Sequence, residues 1–171
     1  SEMCIRDRKN RQGLLHIYCG DGKGKTSAAV GMAVRAAGCG MKVLVIRFLK
    51  TENSGEVEVL RSIPGITVPP CERTFGFVFR MTEEQKQEAA LYYQSRFEAA
   101  AKKAVQGQYD LLILDEILAS CNYGMVRETS VVEFLQNRPE KLEVVLTGRN
   151  PSETFLELAD YVSAVSYTHL R

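Results

Sequence analysis

The run Cys19-Gly20-Asp21-Gly22-Lys23-Gly24-Lys25-Thr26 sets three glycines and two lysines between an apolar stretch and an alanine-rich one. Few folds accept such a run. Glycine allows the torsions that turn successive amides inward, and the free N–H groups at the start of a helix add to the anion cradle so formed. The ending Gly24-Lys25-Thr26 follows the GxxxxGK[ST] phosphate-loop pattern, with Cys19 where its first glycine belongs. Upstream, LLHIYC at 14–19 reads as a strand. Downstream, GKTSAAVGMAVRAAG reads as a helix stopped by Gly38 and Gly40, and KVLVIRF at 42–48 as the next strand. The short crossover implies that these two strands pair in parallel.

A loop of this kind predicts a polyphosphate site. Its candidate contacts are Gly20, Asp21, Gly22, Lys23, Gly24, Lys25, Thr26 and Ser27. Lys25 is a flexible point charge for the terminal phosphates, Lys23 is a second cation, and the Thr26 hydroxyl suits Mg²⁺. The competing reading, a glycine turn with solvated lysines, requires the motif, the strand and the helix to coincide by chance.

The remaining pattern repeats strand and helix. A helix is expected over 53–62, a weak strand over 66–70 ended by Pro69, and a long helix from a Thr82/Gln85 capping box to Gln106 before Gly107. Leu91, Phe97, Ala101, Ala104 and Val105 are expected to cover its buried face. YDLLILDE at 109–116 reads as a strand buried on both sheet faces. Helices near 117–123 and 129–138, a strand at 142–147, a helix at 152–158 and a strand at 161–165 complete the series. The predicted fold class is α/β, a three-layer domain with a mostly parallel central sheet, over residues 13–165. Residues 1–12 and 166–171 lack periodicity or caps and are expected to be tails of doubtful origin.

Ligands of an open parallel sheet gather at the C-terminal strand ends. Asp115 and Glu116 end one such strand, and both are candidate catalytic and metal-holding residues beside Lys25 and Thr26. Asp115 is the better metal ligand; Glu116 is a second metal contact, a water-held link to substrate, or the cap of the next helix. Thr147, Gly148, Arg149 and Asn150 follow another strand, and Arg149 suits a forked phosphate contact or a surface ion pair. Phe75, Phe77 and Phe79 either pack in the core or line a pocket for a large flat ligand. His16, inside an apolar strand, is expected to be structural.

Charge separates some function classes from others. Residues 1–50 carry 10 Lys/Arg against 3 Asp/Glu, a local +7, yet the whole chain is only +1, which argues against a nucleic-acid or membrane-surface partner. Five widely spaced cysteines without a CxxC pair argue against zinc or iron–sulfur and for a reducing compartment. No apolar run approaches the roughly 20 residues that span a bilayer, so the expected location is cytoplasmic. No Ser/His/acid or Cys/His arrangement supports covalent hydrolysis.

Taken together, GDGKGKTSAA, VLVIRFLK, FGFVFRMTEEQK, YDLLILDE, NYG and LEVVLTGRNPSETFLELADYV closely resemble the P-loop corrinoid adenosyltransferases. The resemblance covers roughly residues 13–165, and that family also lacks the first glycine of the strict loop. It implies a RecA-like P-loop NTPase fold, a homodimer, ATP with Mg²⁺, and a reduced corrinoid (cobalamin, cobinamide or a precursor), with a flavoprotein as reductant. It implies attack of Co(I) on the ribose 5′ carbon with triphosphate as leaving group. It places Lys50 near the nucleotide, and Phe77 and Phe79 on the corrin side, where they would displace the lower axial ligand. Phe79 stands where Trp is often seen, and VSYTHLR replaces a basic, glycine-containing terminal segment. An ATPase or kinase acting on another substrate, or a nucleotide-dependent interaction module, are the alternative functions for such a loop.

Overall fold

A computed structural model describes residues 12–21, 24–50 and 54–165. Its elements are β1 (Leu15–Cys19), α1 (Lys25–Gly38), β2 (Val43–Arg47), α2 (Gly55–Ser62), β3 (Ile66–Thr67), α3 (Glu83–Gln106) and β4 (Leu111–Asp115). They are followed by α4 (Ile117–Asn122), α5 (Glu128–Asn137), β5 (Glu143–Thr147), α6 (Glu153–Leu158) and β6 (Tyr161–Ala164). The strands form one sheet in the order β3-β2-β4-β5-β1-β6, with every pairing parallel.

Alternation along the strands builds two cores. Leu44, Ile46, Leu112, Leu114, Val144 and Leu146 face the layer of α3, α4, α5 and α6. Val43, Val45, Leu111, Ile113 and Val145 face α1 and α2, where Ala29, Ala33, Ala36, Val57 and Leu60 meet them. Covering both faces is what makes continuous runs such as LLIL favourable: burying each such side chain contributes about 1.5–3 kcal/mol. β6 is the exception. It lies at the sheet edge and all four of its residues are exposed.

β1 and β2 are parallel but do not pair; β5 and β4 lie between them. The expected pairing fails because β5 and β4, which come later in the chain, occupy the positions between β1 and β2, so the short crossover skips past both.

The capping box of α3 is present: Gln85 N–H donates to Thr82 Oγ1 at 3.2 Å, and Thr82 N–H to Gln85 Oε1 at 2.9 Å. The buried stripe of this helix is Ala89, Tyr93, Phe97, Ala100 and Ala104. Leu91 and Val105 are instead exposed, at 75% and 43%. Leu91 is two residues from both Ala89 and Tyr93, a turn of about 200°, and so points away from the sheet.

The aromatic segment divides. Phe75 packs half-buried against Tyr92 and Tyr93, with ring centroids 5.6 and 5.8 Å apart. Phe77 and Phe79 stack on each other at 5.4 Å and are 64% and 78% exposed, so core packing accounts for neither. His16 is structural as expected, hydrogen-bonded to Glu143 at 2.7 Å and stacked on Tyr161. Cys19, Cys71 and Cys121 are free thiols. Among the described residues no helix is long and apolar enough to cross a membrane.

Candidate functional site

The ends of β1, β5 and β4 lie side by side, and the site is built on them. β1 hands over to the loop at Gly20, whose φ is +109° and whose missing Cβ would overlap the Val165 carbonyl at the exit of β6. Only glycine fits there. Lys25 opens α1, is 8% exposed, and folds back so that its ammonium donates to the Gly20 carbonyl at 2.7 Å. Gly22 and Lys23 lie outside the described residues.

Thr26, Lys50, Asp115 and Thr147 form one continuous chain of contacts. The Lys50 ammonium donates to Thr26 Oγ1 and to Asp115 Oδ2, each at 2.7 Å. The Thr147 hydroxyl donates to Asp115 Oδ1 at 2.6 Å and accepts the Glu116 N–H at 2.9 Å. Asp115 is 3% exposed and Thr147 not at all. A carboxylate so deep is tolerable because a cation and a hydroxyl take up its oxygens.

Glu116 turns away from the strand with φ +65°, and its side chain makes no cap bond to α4. Glu116 thus holds the N-cap position of α4 by its backbone, without a side-chain cap. The carboxyl instead lines a cleft of about 450 Å³ with Lys25, Leu49, Asn122, Tyr123 and Arg149. Burial raises its pKa, and Asp115 adds to the rise, against the pull of Lys50, Lys25 and Arg149. Gly148 lets this wall close up: a Cβ there would come within 2.7 Å of Leu118 Cβ. Asn122 donates to the carbonyls of Arg149 and Asn150 at 2.9 and 3.2 Å and fixes the turn that carries Arg149. The Arg149 guanidinium lies 3.9 Å from Asp21 at the exposed rim.

The structure thus brings Gly20, Lys25, Thr26, Lys50, Asp115 and Glu116 together, with Asp21 and Arg149 at the mouth. Gly24 and Ser27 are exposed at the start of α1. Phe77 and Phe79 enter none of these contacts. The sequence reading missed the role of Thr147. A lone polar residue closing the apolar run VVLT is the signal that marks it.

The oxygens of Thr26 and Asp115 already share a cation, the Lys50 ammonium, so the space between them suits a positive ion. A hydroxyl and a carboxylate are hard donors of the kind Mg²⁺ takes when phosphates and waters supply its other ligands. Among the described residues no group of three or more His, Cys, Asp or Glu side chains forms a cage for a metal. Chemically, the site can hold a polyanion and stabilise charge that develops on it.

The sequence profile of the ATP:corrinoid adenosyltransferase BtuR/CobO/CobP family matches residues 11–169. A corrinoid adenosyltransferase of Pseudomonas aeruginosa is 31% identical over 163 residues, which cover 95% of this chain and 79% of that protein. One from Escherichia coli K12 is 32% identical over 160 residues, 93% of this chain and 79% of the relative. Among solved structures, EssC (ATPases 2 and 3) from Geobacillus thermodenitrificans superposes with a TM-score of 0.50 at 11% identity. That superposition covers 88% of this chain and only 32% of the EssC chain, and the likeness is one of fold. With the family's profile running almost the length of a chain that carries a phosphate loop beside a buried carboxylate, this protein belongs to the ATP:corrinoid adenosyltransferase BtuR/CobO/CobP family.

Proposed function

We propose that this protein transfers the 5′-deoxyadenosyl group of ATP to the Co(I) centre of a corrinoid and releases triphosphate. The family membership supports the substrates, and one observation carries the site assignment. Lys25, Thr26, Lys50 and Asp115 converge on the phosphate loop, within 2.7 Å of their partners. In this reaction a cobalt–carbon bond forms at C5′ while the C5′–oxygen bond breaks. The electron pair of that bond leaves with triphosphate, and Co(I) supplies the pair for the new bond.

The chain's part is alignment and charge. Loop amides, Lys25 and Arg149 hold the polyphosphate, with Gly22 and Lys23 completing the loop, so that negative charge growing on the leaving group meets fixed donors. Mg²⁺, when bound, would neutralise part of that charge; Thr26 and Asp115 are the residues to hold it, with Glu116 next to them. Co(I) is already a nucleophile, so no side chain is required to remove a proton. Phe77 and Phe79 offer an exposed, stacked pair of rings that suits the flat apolar face of a corrin, and they would crowd out its lower axial ligand. A flavoprotein reductant, a homodimeric assembly and a cytoplasmic location belong to the same reading.

The test is an anaerobic incubation with ATP, Mg²⁺ and cob(I)alamin, followed by identification of both products. Triphosphate with an alkylcobalt species is the expected pair. ADP without a cobalt–carbon bond would make the protein a kinase or ATPase.

A further inference from the structure

Both described lysines of the site are engaged before any ligand arrives, but in different ways. Lys25 bonds within its own loop. Lys50 crosses from the end of β2 to join two oxygens on different elements, Thr26 on α1 and Asp115 on β4, with 2.7 Å to each. At those lengths both contacts are full charge-assisted hydrogen bonds. Its head is thus where the Thr26 and Asp115 oxygens converge, the place assigned above to Mg²⁺.

The backbone is set to deliver it there. Leu49, immediately before, has φ +58°, a conformation that a leucine adopts only at an energetic cost. Leu49 packs half-buried against the main core. Strain held in place by packing turns the chain back so that Lys50 reaches the carboxylate.

We propose that Lys50 is a built-in surrogate for the divalent ion. In the nucleotide-free protein it occupies the oxygen pair, satisfies the buried Asp115 and keeps bare metal out. It yields only when a polyphosphate arrives that offers the ammonium new oxygens. Two cations cannot share one oxygen pair, so metal binding includes the work of displacing Lys50, and the phosphates supply the compensation. Metal and nucleotide therefore enter together, each strengthening the binding of the other. This proposal rests on the reading of Thr26 and Asp115 as the metal-holding pair.

The experiment is Mn²⁺ binding followed by electron paramagnetic resonance, without nucleotide. The wild-type protein should bind weakly, and Lys50→Met should bind about tenfold tighter or more, as expected when a competing occupant is removed. A loss of fold could not produce that gain. Adding Asp115→Asn to Lys50→Met should abolish it. Equal Mn²⁺ affinity in wild type and Lys50→Met overturns the proposal, and so does a gain that survives Asp115→Asn. Asp115→Asn alone, assayed with ATP present, separates the two readings: if it holds Mn²⁺ as the wild type does, the oxygen pair itself is wrongly assigned. A second measurement needs no substitution. The Lys50 ammonium signal in a proton–nitrogen correlation spectrum should stay unchanged with Mg²⁺ alone and move with Mg²⁺ and ATP together; movement with Mg²⁺ alone overturns the proposal.

Discussion

The wholly buried Thr147 hydroxyl donates to Asp115 Oδ1 at 2.6 Å, tying the end of β5 to the carboxylate at the end of β4. The same oxygen accepts the Glu116 N–H. Thr147→Val keeps the shape and removes both bonds, leaving the half-buried Glu116 N–H and a buried carboxylate oxygen without this partner. Stability should fall by about 1–3 kcal/mol in urea denaturation. Thr147→Ser should recover most of the loss. If Thr147→Val is as stable as the wild type, the bond contributes nothing.

Lys25→Ala should leave far-ultraviolet circular dichroism unchanged and weaken ATP binding about 10- to 100-fold, as expected for loss of a charged hydrogen bond. Calorimetric titration measures this directly. Unaltered affinity would remove Lys25 from the phosphate site.

Phe77 is 64% exposed, so Phe77→Asp should not disturb the core. If its ring displaces the lower ligand of cobalt, conversion should fall more when cob(II)alamin is supplied with a protein reductant than when cob(I)alamin is made chemically. Comparable losses in the two assays would contradict a role in reduction.

Burial pushes the Cys121 thiol up from 9.0 to about 12, with Glu128 adding to the rise, and burial likewise pushes the Tyr93 hydroxyl up from 10.0 to about 12. In the unfolded chain both groups lose their protons at their ordinary values, while the folded protein still holds them. Unfolding is therefore favoured as pH rises from about 9 towards 12, and stability is flat with respect to these groups below that window. Melting temperatures measured from pH 8 to pH 11 should decline, and Cys121→Ala should reduce the slope. A pH-independent melting temperature over that range would refute the shifts.

Much of this architecture was legible because each strand is a short apolar run and each helix has a boundary signal. Thr82 with Gln85 fixed the start of α3, and Gly20 to Thr26 fixed the loop. Sheet order was not legible. Hydrophobic alternation says that β1 and β2 are strands, not that β5 and β4 lie between them, because that depends on contacts far apart in sequence. The face of α3 was misjudged at Leu91 for a related reason: with alanines on several sides, periodicity alone does not show which side meets the sheet. Lys50 enters as a nucleotide-binding residue only through the family resemblance, and Thr147 only as a neighbour of the site. Their bonds to Asp115 arise where three separate strand ends meet, and no local pattern encodes that meeting.

The strand order also governs when the site comes into being. The strands that pair with β1 among the described residues are β5 and β6, so Leu15 must wait for Val144, and His16 for Tyr161. Pairings of such long range slow folding, and during synthesis the first strand emerges well before its neighbours do. A nascent chain halted ahead of β5 carries the entire glycine-rich loop but neither strand that flanks β1, nor the Val165 carbonyl against which Gly20 packs. Nucleotide capture would therefore wait for β5 and β6.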